Sequence, residues 1–149
     1  MKAPDLFSEA ERKQIHAAIH EAEMLTSGEI RVYIDDDCRD DVMDKAAFVF
    51  AHLNMHQTAL RNGVLIYLAV NDHKFAIIGD AGIHQKVGDT FWNSIKQKMA
   101  ELLKEGKYSA AIEYGVREAG RELQHFFPRS KDDQNELPND IVFGKGGGK

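Results

Sequence analysis

The sequence predicts an α/β protein, a three-layer α/β/α sandwich built around a small mixed sheet. Two observations predict it. Apolar stripes at helical spacing alternate with short strand patterns, in the order helix, strand, helix, strand, strand, helix, helix. The first two strands flank a helix, and a strand–helix–strand unit crosses over right-handed and leaves its strands parallel. The second and third strands are separated only by the polar turn Asn71-Asp72-His73, which makes them an antiparallel hairpin. Helices must then cover both faces of the sheet.

Each element has its own local reason. Ser8 and Glu11 form a capping-box pattern ahead of a stripe of Ile15, Ala18, Ile19, Ala22 and Leu25, and that helix ends before Ser27-Gly28. Ile30, Val32 and Ile34 alternate with Arg31 and Tyr33, the mark of a half-buried strand. A second helix carries Met43, Ala46, Ala47, Phe50 and Leu53, with Asp40 or Asp41 as its cap. Val64 to Val70 is continuously apolar, as a central strand buried on both faces should be, and Lys74 to Ile78 returns beside it. Asp89 caps the next helix, whose stripe is Trp92, Ile95, Met99 and Leu102, with Gly106 as its stop. Ser109 caps a last helix with Ile112, Val116, Ala119 and Leu123 inward, and Pro128 lies just beyond it.

These elements make residues 1–128 one domain, and residues 129–149 a polar, glycine-rich C-terminal tail in which Leu137, Ile141, Val142 and Phe143 are able to dock. The net charge of -5 disfavours nucleic acid, which needs a basic face to displace counterions. Cys38 is the only cysteine, so neither an intrachain disulfide nor a cysteine-cluster metal site is expected. No stretch approaches the roughly 20 apolar residues of a membrane helix. The first residues lack the apolar run of a signal peptide, so the expected compartment is the cytoplasm.

Three segments, in this order, carry a family resemblance: Thr26-Ser27-Gly28-Glu29-Ile30, Arg61-Asn62-Gly63-Val64-Leu65-Ile66 and Ile77-Ile78-Gly79-Asp80-Ala81-Gly82-Ile83. Together they resemble the TPM domain, a family that includes thylakoid-lumen photosystem repair proteins, a nematode receptor modulator and many bacterial proteins. Phe91-Trp92 and the tail segment Asn135-Glu136-Leu137-Pro138-Asn139 are similar to its cytosolic bacterial branch. The likeness runs from about Phe7 to Phe143, and it lies in the order and spacing of the motifs rather than in any one of them. The resemblance implies an α/β/α sandwich. It also implies binding of calcium or another divalent ion in some members, acid phosphatase activity in a plant member, and modulator or assembly roles in others.

The candidate metal ligands are Asp35, Asp36, Asp37 and Asp80. Open α/β sheets bind ligands beyond the carboxyl ends of their strands, and three successive carboxylates stand there after the first strand. They repel one another unless solvated or bound to a cation, and hard ions such as Ca²⁺ and Mg²⁺ prefer oxygen ligands. The spacing is not that of an EF-hand, and a solvated acidic loop is the competing reading. Asp80 enters because the resemblance centres on its turn. By topology it shares a rim with Asn62 and Glu29, opposite the rim of Asp35 to Asp37 and Asp72. Arg61, with Asn62 beside it, is the candidate for holding an anion or supporting the site, and pairing with Asp80 or Glu29 is the alternative. His16, His20 and Glu23 read as a solvated helix face, and Cys38, among acidic neighbours, as a packed thiol.

The expected function is divalent-cation binding with a regulatory or stress-related role. The alternatives are a metal-dependent phosphatase-like hydrolase and a protein-interaction module acting through the tail. The expected partners are the cation and a protein at the tail.

Overall fold

The computed structural model describes residues 2–88, 90–129 and 141–144. A single helical turn, α1 (Ala3–Leu6), opens the chain on Pro4, whose fixed φ suits a first turn. The long helix α2 (Glu9–Leu25) begins with both halves of the capping box: Ser8 Oγ accepts from Glu11 N at 3.1 Å, and Glu11 Oε1 accepts from Ser8 N at 2.8 Å. Strand β1 (Glu29–Asp35) follows, then α3 (Val42–His52), where Asp41 accepts from the N–H groups of Met43 and Asp44. The hairpin is β2 (Gly63–Ala69) and β3 (Lys74–Gly79). Three helices, α4 (Ala81–Val87), α5 (Asn93–Lys104) and α6 (Tyr108–Gln124), precede the short β4 (Val142–Phe143).

The sheet is open and mixed, in the order β3-β2-β1-β4. β1 and β2 are parallel, from Glu29 opposite Gly63 to Asp35 opposite Ala69. β2 and β3 are antiparallel, with Val64 opposite Gly79 and Ala69 opposite Lys74. The fourth strand comes from the stretch expected to dock: Val142 lies opposite Tyr33 and Phe143 opposite Ile34, parallel to β1.

Alternation along the strands divides the core in two. Ile30, Val32, Ile34, Val64, Ile66, Leu68 and Ile77 pack with α2, α5 and α6 on one face. Leu65, Tyr67, Ala69 and Ala76 meet Ala46, Val49 and Phe50 of α3 on the other. β2 feeds both faces, and all seven of its residues are buried.

Several local expectations shift. The buried stripe of α3 is Lys45, Ala46, Val49 and Phe50, while Met43 and Ala47 are exposed. In α5 it is Leu103 rather than Leu102 that is fully inside. Helix α6 starts at Tyr108, so Ser109 is not its cap, and the Ser109 hydroxyl instead donates to Glu11 Oε2 at 3.0 Å. Asp89, expected as a cap, and the tail motif 135–139 lie outside the described residues. Among the described residues no helix is long and apolar enough to cross a membrane.

Candidate functional site

The carboxyl ends of β1 and β2 gather Asp35, Asp36 and Asp37 with Asp72 of the facing turn. The loop after β1 is tied to that turn: Val70 N donates to Asp35 O at 3.0 Å, Asn71 N to Asp36 O at 2.9 Å, and Cys38 N to Asp72 Oδ2 at 2.6 Å. On this rim the strand order also reverses, since the chain leaves β1 toward β2 on one side while β4 occupies the other.

The acids are engaged in different ways. Asp35 is wholly buried, and its Oδ2 accepts from Tyr67 Oη at 2.7 Å and faces Lys45 Nζ at 3.9 Å. Lys45 is itself buried, so the two side chains leave water together as a pair. Burial and the Asp35 hydrogen bond push the Tyr67 hydroxyl far above its ordinary pKa, so it remains a donor. β4 closes the flank of the site. A Cβ at Gly144 would meet Asp35 Oδ1 and the Tyr33 hydroxyl, so a larger residue there would have to push those side-chain ends aside.

Asp36 is buried as well. It accepts from the Ala3 N–H and stands 3.6 Å from Lys2 Nζ, an ammonium in open solvent. Asp37 is half-buried. Chemically the rim offers the hard oxygen donors that Ca²⁺ and Mg²⁺ take. Asp35 Oδ2 is taken by Tyr67 and Lys45, whereas Asp36 Oδ2 faces the exposed Lys2 ammonium and Asp37 is only half-buried, so these two carboxylates lie nearer to solvent. Among the described residues, no three His, Cys, Asp or Glu side chains stand together as a ready-made metal cluster.

The opposite rim holds Asp80, at the far end of the β2–β3 hairpin from Asp35. Arg61 Nε and Nη2 donate to Asp80 Oδ2 and Oδ1 at 2.7 and 2.8 Å, and Ala81 N donates to Oδ1 at 2.7 Å. Burial alone would raise the Asp80 pKa. The Arg61 fork and the cap bond outweigh it and hold the carboxyl below its ordinary value. Asp80 is therefore the N-cap of α4, and the Arg61 fork is already filled by a carboxylate. Buried Asn62 is a latch: its carbonyl accepts from Glu29 N at 3.2 Å and its side-chain amide donates to Ser27 Oγ at 3.3 Å.

Sequence reasoning missed three residues. Lys45 and Tyr67 complete the Asp35 contacts, yet one is a charge on an amphipathic helix and the other sits inside an apolar run, so neither stands out by pattern. Glu23 reads from the sequence as part of a wet helix face, but it is buried, and its Oε2 accepts from Ile30 N at 3.2 Å. His16 and His20 are exposed, and buried Cys38 directs its Sγ to Asp40 O at 3.3 Å.

A sequence profile of the TPM domain matches residues 2–122. The solved structure of protein BA42 from the psychrophilic bacterium Bizionia argentinensis is similar to this chain, with 43% identity, a TM-score of 0.87, and coverage of 93% of this chain and 95% of that one. The N-terminal domain of a protein from P. gingivalis shares the fold at 15% identity and a TM-score of 0.67, covering 82% of this chain and 79% of its own. No curated protein matches the chain.

Proposed function

The chain belongs to the TPM domain family, and on that premise we propose that it binds a divalent cation, Ca²⁺ or Mg²⁺, in a regulatory rather than a metabolic role. One observation carries the reading. Asp35, Asp36, Asp37 and Asp72 lie along a single rim beyond the carboxyl ends of parallel strands, where the strand order reverses and open sheets take their ligands. Asp36 and Asp37 are the ligands, and Asp35 with Tyr67 and Lys45 supports the loop. The cation takes the place of the solvent-exposed Lys2 ammonium beside Asp36. Two carboxylates with water filling the other positions make a weak site, with a dissociation constant on the order of 10⁻³ M. Asp80 is not part of it, because it caps α4 on the other rim. With the Arg61 fork held by Asp80, the hydrolase alternative loses its anion holder.

The test is a titration of the protein with Ca²⁺ and, separately, Mg²⁺, followed by amide chemical shifts. The amides of 36–38 and 71–72 are expected to move together and to saturate. Asp37→Asn weakens the effect several-fold, and Asp80→Asn leaves it unchanged. Amides on this rim that stay fixed in tens of millimolar of either ion would overturn the reading.

A further inference from the structure

The acidic rim carries a cover made by the start of the chain. Helix α1 is a single turn, and its N-cap, Lys2, supplies no side-chain cap. The acceptor is brought from 33 residues away instead, because Asp36 Oδ1 accepts the Ala3 N–H. Asp36 Oδ2 faces Lys2 Nζ at 3.6 Å. Both oxygens of this carboxylate are thus turned to the N-terminal turn, and Asp36 is buried beneath a lysine that is itself exposed.

The turn is held lightly. Ala3 is buried in the larger core and Leu6 packs at its margin. Arg12 of α2 donates through Nη2 to Pro4 O, and its guanidinium lies over the Phe143 ring of β4, 5.1 Å from the centroid. Phe7, buried and extended, anchors the chain where α1 ends, and Ser8 opens α2 with its own capping box. Phe7 and Phe143 meet at 6.4 Å between ring centroids, so the anchor is tied to β4 as well. The link between Phe7 and Ser8 therefore separates a firmly built helix from a four-residue turn, and so short a helix has no stability of its own once it leaves the surface it rests on.

On the premise that the rim binds a divalent cation, as proposed above, we infer that α1 is an autoinhibitory cover that competes with the cation for the Asp36 carboxylate and lifts when the cation binds. Lys2 acts as a tethered monovalent counter-ion, and the divalent ion takes its place with twice the charge. Drawing the Asp36 oxygens onto the ion removes the acceptor that completes the first turn of α1. The burial of Asp36 is then a property of the covered form, and the ion selects the uncovered one. The apparent dissociation constant is the intrinsic one divided by the fraction of molecules whose rim is uncovered. Coupling of this kind is reciprocal, so any change that loosens α1 tightens the cation by the same factor.

The test titrates the full chain with Ca²⁺ at constant ionic strength, as the parent, as Lys2→Gln and as Pro4→Gly, and follows amide chemical shifts. In the parent, the amides of Ala3, Asp5 and Leu6 should move toward random-coil positions on the same saturation curve as those of 36–38. Lys2→Gln, a change at an exposed side chain, should tighten calcium about two- to five-fold, the worth of a surface ion pair. Pro4→Gly removes the fixed φ that favours the turn and alters no charge, so it should also tighten calcium several-fold, which a plain change of electrostatic field would not do. Movement at 36–38 with Ala3, Asp5 and Leu6 fixed overturns the cover and leaves the cation site standing. Calcium affinity in either variant that equals or falls below that of the parent does the same. No movement at either place in tens of millimolar calcium overturns the cation reading itself, and the cover with it.

Discussion

Glu23 is a carboxyl whose charge this fold suppresses. Burial pushes its pKa up to about 7 from an ordinary 4.5, and the Ile30 N–H with the charges of Arg129 and Arg31 pulls it only partly back. An acid whose folded pKa is raised is favoured in its protonated form. Its unfolded counterpart ionises first, so folding loses stability as pH climbs from 4.5 through 7. Glu23→Gln keeps the acceptor for Ile30 N and removes the buried charge. It should therefore stabilise the protein at pH 8 by about 1–2 kcal/mol, less than the full shift implies because the carboxyl keeps some solvent contact. The gain should vanish near pH 4.5, and urea unfolding at the two pH values measures both. Glu23 also shows where residue type misleads. Its place beside Ala22 on the inward side of α2 was readable from helical spacing, but a glutamate after two histidines looks like surface. Likewise the position of Asp35 at a strand end was legible, while its partners Lys45 and Tyr67 were not, because they come from other elements and meet it only after folding.

At the scale of the element, legibility followed length. Helices of three or more turns show their stripes, and β2 shows itself because burial on both faces leaves no polar position in it. Short pieces escaped for the same reason. α1 is one turn, and β4 pairs through only two residues, whose partners in β1 are far away in the chain. Helix α4 lies between these cases. The sequence marks a turn at Asp80 but not the short helix that follows it. What seats α4 is a close approach: Gly82 N donates to Arg61 O at 2.8 Å, and a Cβ at Gly82 would run into the carbonyl oxygens of Leu60 and Arg61. Backbone atoms cannot move aside as a side-chain tip can. Gly82→Ala should therefore cost more than about 3 kcal/mol, beyond the range of ordinary surface changes, and thermal unfolding reads it directly. A melting temperature within a degree or two of the parent would mean that α4 is free to shift.

For the molecule as a whole, the decisive feature is a central strand that serves both cores and both kinds of pairing. β2 bonds in parallel to β1 and in antiparallel to β3, and it is buried throughout. Its amides should exchange with solvent only through global unfolding, and so report the full stability. Native-state hydrogen exchange checks this, and β2 amides that exchange well ahead of global unfolding would overturn it. The three-strand arrangement was legible because one helix lies between the parallel strands and a tight turn joins the antiparallel ones. The rim chemistry was legible only as a crowd of acids, since which of them stay available depends on contacts brought in from α1, α3 and β4.

The position of Gly144 against Asp35 also bears on synthesis. β1, β2, β3 and the helices around them leave the ribosome well before the strand that seals the outer flank of that carboxylate. Until residues 142–144 follow, the acidic corner of the emerging chain stays open on that side.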